Sequence, residues 1–457
     1  MINKTIAAIS TAPGIGGIGI IRMSGDECFK ILEKIFTPIK KEPIESIKGY
    51  TIKFGYIVDQ NNNKIDEVLV SFFKSPKSYT TENMCEINSH GGLVIMNQIL
   101  DLCLRNGAEL AEPGEFTKRA FLNGRMDLSQ AEAVIDVINS KTDKEAKVSV
   151  KQLEGSLSNK IENIRKKVIS TMADIEATID YPEYDIEEVT NAQILNILDE
   201  VDKELGSLEK SFYNGKIIRD GISTAIIGRP NAGKSSLLNM ILNEERAIVT
   251  DIEGTTRDTI EEYISIDGVP LKIIDTAGIR NASDEVERIG VQKAIEIAKK
   301  SDVVIAIFDA SRDLNKEDEQ ILELLEDKNS IILLNKIDLD RKVSLEKIKN
   351  VNKPIVEIST KTREGLDDLY AEISKLFKLK EIANDGETIV SNVRHKNIII
   401  NSRKNLDKAR ETIRNNMPID IISTYLKEIL EELGKITGET VTEDVIAEIF
   451  SKFCLGK

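Results

Sequence analysis

The stretch that most constrains this chain is GRPNAGKS, Gly228 to Ser235. It fits the pattern G-x-x-x-x-G-K-[ST] and lies between an apolar run, STAIIG, and a helical one, SSLLNMIL. In that setting the N–H groups of a tight loop and the positive end of the next helix cradle phosphate. A lysine reaches the β- and γ-phosphates and a hydroxyl holds magnesium. Lys234 and Ser235 take those two roles, and further contacts fall on Asn231, Ala232, Gly233 and Ser236. Such a loop works at the carboxyl end of a parallel strand. Residues 217 to 380 supply the sheet: Ile- and Val-rich runs (LKIIDT, DVVIAIFD, SIILLNK, PIVEIS) alternate with helical stretches, which predicts a Ras-like α/β P-loop domain.

Downstream motifs name the base. NKID, Asn335 to Asp338, follows a buried run: Asp338 would accept from the N1 and N2 hydrogens that adenine lacks, with Asn335 and Lys336 beside the base. An unpaired buried carboxylate makes adenine expensive, so the expected ligand is GTP. STK, Ser359, Thr360 and Lys361, fits the loop that backs the base. DTAG, Asp275, Thr276, Ala277 and Gly278, fits the segment that senses magnesium and the γ-phosphate. Between them the switch stretch runs through Thr250, Asp251, Ile252, Glu253, Gly254, Thr255 and Thr256, with Thr256 preferred over Thr255 as second magnesium ligand. One part is missing. Ile279 stands where a Ras-like enzyme has the Gln that orients water. Glu285 and Glu287, at the entry of a helical run, read either as capping charges or as a carboxylate reaching back through a bridging water.

At 457 residues the chain exceeds one core. Residues 1–118 show short β-branched runs (KTIAAIST, IGIIRMSG, YTIKFGYIV, KIDEVLVSFF) and the helical GLVIMNQILDLCLRNGAEL, which predicts an α+β domain. Residues 119–216 and 381–457 are helical and Gly-poor, with a break at DYPEYD around Pro182. The expected plan is an all-α domain interrupted by the inserted α/β unit, as nearby domain termini permit. The net charge of −15 argues against broad nucleic-acid coating; residues 1–120 are charge-balanced, so any RNA contact is local or shared. Cys28, Cys85, Cys103 and Cys454 lack metal-ligand spacing and read as reduced thiols. With neither an apolar membrane run nor a signal peptide, the expected location is the cytoplasm, with no membrane partner.

Two look-alikes are set aside. A second NKID, Asn63 to Asp66, lies in an Asn-rich hairpin with no phosphate loop upstream and reads as a turn. GIGGIG, Gly14 to Gly19, matches a dinucleotide fingerprint by letter, but IGIIRMSG after it reads as a strand rather than a helix, which leaves open only a Gly-rich loop approaching some other ligand.

GRPNAGKSSLLN, TDIEGTTRD, DTAGIR, DEVERIG, PGEFTKRAFLNGRMDLSQAEAV and the terminal FCLGK together resemble the MnmE (TrmE) family of tRNA-modification GTPases over essentially the whole chain. The resemblance implies an N-terminal tetrahydrofolate-binding domain that mediates homodimerisation, a helical domain and an inserted G domain. It implies work with an FAD-containing MnmG-like partner, in a heterotetramer or larger assembly, on C5 of the wobble uridine of certain tRNAs. The group installed would be aminomethyl or carboxymethylaminomethyl, from a 5,10-methylene- or 5-formyl-tetrahydrofolate donor. The implied folate contacts are Arg22, Glu86, Lys457 and Arg125, the last where the family commonly has Lys, with Cys454 pointing toward the same region. The implied answer to Ile279 is a potassium ion held by Asn231, Thr250, Ile252 and Thr255, with Glu287 organising the water and Arg257 as a helper. A ribosome-associated assembly switch shares the nucleotide motifs but has no use for a folate site or for FCLGK.

Overall fold

The computed structural model describes residues 4–12, 14–180, 191–243, 247–248, 262–274, 296–382 and 388–457. The chain opens with β1 (Ile6–Ile9), β2 (Gly16–Ser24), α1 (Cys28–Ile35), β3 (Phe36–Pro38), β4 (Thr51–Val58), β5 (Lys64–Phe73), β6 (Met84–Gly91), α2 (Leu93–Arg105) and β7 (Glu109–Leu110). Helices α3 (Glu115–Leu122), α4 (Leu128–Asn139), α5 (Asp143–Leu153), α6 (Ser156–Asp180) and α7 (Asn191–Asp220) follow. Next come β8 (Ile222–Gly228), α8 (Lys234–Leu242), β9 (Ala247–Ile248), β10 (Glu262–Ile266), β11 (Val269–Ile273), β12 (Val303–Asp309), α9 (Lys316–Leu325), β13 (Ser330–Asn335), α10 (Leu345–Lys349), β14 (Ile355–Ile358) and α11 (Leu366–Leu376). The chain closes with α12 (Val393–Arg414), α13 (Ile419–Thr437) and α14 (Glu443–Ser451). The expected boundaries at 118/119 and 216/217 fall inside α3 and α7, where helical periodicity runs on without a break. The Pro182 break lies outside the described residues, just past the end of α6.

The chain forms two compact units: residues 1–138, 152–198 and 404–457 make one, and residues 139–151 and 199–403 the other. In the first, a seven-stranded sheet has the order β3-β4-β5-β6-β2-β1-β7 and is antiparallel except for β1 with β7. Period-two alternation sends Ile21 and Met23, Val68, Val70 and Phe72, and Cys85 and Ile87 to one face, where α1 and α2 cover them. The opposite face carries Arg22 and Glu86, paired in register across β2 and β6, and exposed apolar residues Ile52, Phe54 and Leu69. The first NKID begins at the turn: Asp59 caps the hairpin between β4 and β5 by accepting from the N–H groups of Asn61 and Asn63, and Lys64 to Asp66 are already strand. GIGGIG runs into β2, a strand, as its sequence suggests. Elsewhere in this unit α6 packs on α13, and Ile446, Phe450 and Phe453 seat α14 and the residues after it against Ala120, Leu128 and Ala131.

The second unit holds a seven-stranded sheet of order β14-β13-β12-β8-β11-β10-β9, parallel from β14 through β11 and antiparallel at β10 and β9. Its central strands are buried on both faces, which is why β8, β12 and β13 read as unbroken apolar runs rather than alternating ones. β8 lies between β11, reached next along the sheet, and β12 on its other side. Its carboxyl end therefore opens at the switch in strand order, where doubly wound sheets bind ligands.

Candidate functional site

The loop from Gly228 to Lys234 leaves β8 and enters α8. Two of its residues have left-handed backbone: Asn231 at φ 61° and Gly233 at φ 110°. Gly228 is held against its neighbour strand; a Cβ there would lie 2.4 Å from the carbonyl oxygen of Ile307. Ala232 is buried, and Lys234, Ser235 and Ser236 form the first turn of α8. Lys234 Nζ donates back to the carbonyls of Gly228 at 2.8 Å and Arg229 at 2.7 Å, so the ammonium sits over the mouth of the loop. Arg229 is held by Asp318, which also closes the capping box of α9 with Asn315.

The base-reading segments meet this loop. Asn335 is fully buried; its Nδ2 donates to the Ala232 carbonyl at 2.8 Å and its Oδ1 accepts from the Thr360 N–H at 3.1 Å. Ser359 Oγ donates to Asp338 Oδ1 at 2.7 Å and accepts from the Thr362 N–H at 3.1 Å, which leaves the other carboxylate oxygen of Asp338 for a ligand. Lys336, at φ 68°, places its Nζ 2.5 Å from Asp309 Oδ2. Burial alone would raise the Asp309 carboxyl, but the hydrogen bonds from Lys336 and Ser311 outweigh it and hold the group below its ordinary value. Lys361 is exposed at the rim. The described part of the pocket thus joins phosphate loop, NKID and STK into one hydrogen-bonded frame suited to a guanine nucleotide. The expected residues Thr250, Asp251, Ile252, Glu253, Gly254, Thr255, Thr256, Arg257, Asp275, Thr276, Ala277, Gly278, Ile279, Glu285 and Glu287 lie outside the described residues. Asp309 was not singled out by sequence, although an acidic residue ending a buried strand beside NKID was a usable signal.

The N-terminal unit holds a second cluster. Arg22 Nε and Nη2 approach Glu86 Oε1 at 2.9 and 2.8 Å, and Arg22 Nη1 donates to the Gly456 carbonyl at 3.1 Å. The same carbonyl accepts from Ser10 Oγ at 3.1 Å. The Phe116 N–H donates to Lys457 O at 3.1 Å and the Gly114 N–H to Cys454 O at 3.3 Å, so the last residues thread between β1 and the start of α3. Burial, then the neighbouring Arg22, lowers the Lys457 ammonium, partly opposed by Glu86 and Cys454. Arg125 joins through Tyr79: its guanidinium lies 4.6 Å from the centre of that ring and its Nη1 donates to the Tyr79 carbonyl. Arg22, Glu86, Arg125, Lys457 and the exposed Cys454 are therefore brought together. Lys457 lies beside Arg22 and Glu86, and Arg125 shares the Tyr79 ring with Arg22, so the cluster joins three cations and a carboxylate that suit a ligand carrying both N–H donors and carboxylates. Tyr79 was missed because a lone aromatic in a loop has no periodic signature.

The sequence matches the profile of the MnmE helical domain over residues 128–454 and that of the GTP-binding protein TrmE N-terminus over residues 5–125. It is 50% identical over 458 residues to the tRNA modification GTPase MnmE of Acetivibrio thermocellus, covering 100% of this chain and 99% of that protein. It is 49% identical over 460 residues to that of Thermoanaerobacter pseudethanolicus, covering 100% of both. The protein of the same name from Clostridioides difficile is 50% identical over 458 residues, again across 100% of both.

Proposed function

The chain belongs to the MnmE family of tRNA modification GTPases, and from that premise we propose that it is a potassium-activated GTP hydrolase with a folate-dependent role in tRNA modification. In this reading it acts with an FAD-containing MnmG-like partner, in a heterotetramer or larger assembly, on C5 of the wobble uridine of certain tRNAs. A tetrahydrofolate derivative, 5,10-methylene or 5-formyl, carries the one-carbon unit of the aminomethyl or carboxymethylaminomethyl group.

The observation that carries the reading is the convergence of Arg22, Glu86, Arg125 and Lys457 in a chain that also has a full phosphate loop and guanine reader; the Arg22 to Gly456 bond alone spans 434 residues of sequence. An assembly switch needs only the second half. On the nucleotide side, Lys234 turns from loop carbonyls toward the β- and γ-phosphates, and Ser235 with Thr256 holds magnesium. Asp338 reads the base while Ser359 fixes its orientation. Magnesium and potassium, when bound, neutralise charge on the transferring phosphoryl group; Asn231, Thr250, Ile252 and Thr255 are the residues for potassium. Ile279 cannot orient water, so that task passes to Glu287, with Arg257 assisting.

The homodimer is supported by the exposed apolar residues Ile52, Phe54 and Leu69, which lie side by side on one face of β4 and β5. Among the described residues no helix is long and apolar enough to cross a membrane. The test pairs two assays. Nucleosides from tRNA of a deletion strain are analysed by mass spectrometry, and GTP turnover is compared in potassium and sodium for wild type and Glu287→Ala. Loss of the modified uridine, faster turnover in potassium and about a hundredfold lower kcat in Glu287→Ala with little change in GTP binding are expected. An unchanged nucleoside profile would leave the assembly switch as the better reading.

A further inference from the structure

Resting on the folate reading above, we infer that Tyr79 is a positioning residue of that site: its ring sets the guanidinium of Arg125, beside that of Arg22, to receive a carboxylate of the ligand.

The ring is fixed at both ends. Its body packs against Ile6, Ala8, Ala111 and Phe116, and its hydroxyl lies 2.9 Å from Oγ1 of Thr117, a fully buried side chain. A ring held this way is a rigid platform, and two guanidinium groups use it. The Arg125 Cζ lies 4.6 Å and the Arg22 Cζ 5.4 Å from its centre, with Arg22 also 5.6 Å from the Phe116 ring. An aromatic face attracts a guanidinium without neutralising it.

The two arginines differ in what does neutralise them. Arg22 is paired with Glu86. Among the described residues no carboxylate pairs with Arg125, although its side chain is exposed and would otherwise sample many rotamers. Tyr79 holds Arg125 from two sides, through the ring and through its own carbonyl, at 3.1 Å from Nη1. Arg22 and Glu86 thus present a paired donor and acceptor, whereas Arg125 presents an ordered positive charge with an open edge. A free carboxylate is the chemistry that completes it, and on a folate that group is on the glutamate tail. Ordering the guanidinium before the ligand arrives removes an entropic cost from binding.

The experiment is calorimetric titration of the full chain with 5-formyl-tetrahydrofolate and with the amide of 5-formyl-tetrahydropteroate, which has no carboxylate. Variants are Tyr79→Phe, Tyr79→Met, Arg125→Ala and the double variant Tyr79→Met with Arg125→Ala, each checked for folding by thermal melt and GTP turnover. Tyr79→Phe keeps the ring and should bind within about threefold of wild type, while Tyr79→Met should bind the folate roughly tenfold more weakly. The loss should shrink to about twofold for the amide, which offers Arg125 no carboxylate, and in the Arg125→Ala background, where the partner of the ring is absent. A merely structural tyrosine would weaken both ligands, and both backgrounds, alike; that result overturns the inference, as does full affinity in Tyr79→Met. If Tyr79→Met does not fold, Tyr79→Leu is the substitute and Tyr79→Phe still reports whether the ring suffices. Wild type failing to bind either compound overturns the folate reading itself, and the inference with it.

Discussion

Asn335 and Gly233 meet so closely that no side chain fits between them: a Cβ built on Gly233 would lie 2.0 Å from Asn335 Nδ2. That nitrogen is already committed to the Ala232 carbonyl, so the guanine reader and the phosphate loop are one rigid piece. Gly233 also sits at φ 110°, where an L side chain is strained. Gly233→Ala should therefore push Asn335 off the loop and cost about 2 kcal/mol or more, roughly thirtyfold in GTP affinity. Fluorescent-nucleotide titration measures this, and unchanged affinity would show that the contact is not part of binding.

The two copies of NKID give a matched control. Asp338 is oriented by Ser359 in the nucleotide pocket, whereas Asp66 lies in β5 and accepts from the His90 N–H and ring. Asp338→Asn puts N–H groups where an acceptor is needed and should weaken GTP roughly fivefold to a hundredfold, by about 1–3 kcal/mol of mispaired polar contact. Asp66→Asn should leave GTP binding intact. It should instead lower the His90 pKa, which Asp66 holds above its ordinary value, as proton NMR titration of that ring would report.

Asp309 makes a pH-dependent prediction. Its carboxyl is held below its ordinary value in the folded protein, so its pairing with Lys336 contributes stability above the unfolded carboxylate pKa and loses it as pH falls through the folded one. Asp309→Asn should lack that acid-side step in a series of denaturation curves. At neutral pH it should be less stable by roughly 1–2 kcal/mol and bind GTP several-fold more weakly, since Lys336 loses its anchor. Parallel acid profiles for the two proteins would remove Asp309 from the account.

Legibility divides along the range of the forces. β8, β12 and β13 were readable because burial on both faces demands Ile and Val at nearly every position. β6, in the middle of its sheet, was missed. MCEINSHG holds one β-branched residue, and although β5 precedes it closely, its other partner, β2, lies far off in sequence. β10 was missed although its pairing to β11 is local, a hairpin through Asp267 and Gly268 at positive φ whose Asp-Gly turn was a usable signal. The phosphate loop could be read outright because its letters are its chemistry. Tyr79 could not, because its role comes from Arg125 and Thr117 arriving from another part of the chain.

The last prediction concerns Gly456, whose backbone at φ 83° no other residue adopts easily and whose hypothetical Cβ would lie 2.4 Å from the Ile9 carbonyl oxygen. Its own carbonyl accepts from both Ser10 and Arg22, so the residue is the clasp that holds the final segment on β1 and β2. Gly456→Ala cannot keep this geometry. The segment should lift, Lys457 should leave the Arg22 and Glu86 neighbourhood, and the bond from the Phe116 N–H to Lys457 should break. Folate affinity should fall at least tenfold, about 1.4 kcal/mol, and wobble-uridine modification with it. GTP turnover in potassium should persist, because neither the phosphate loop nor the base-reading segments include these residues. Deleting residues 454–457 should give the same pattern more severely. Retained modification in Gly456→Ala would show that the clasp is dispensable. Joint loss of modification and GTP turnover would make it a support of the whole fold, and only loss of folate binding with hydrolysis preserved assigns it to the folate site.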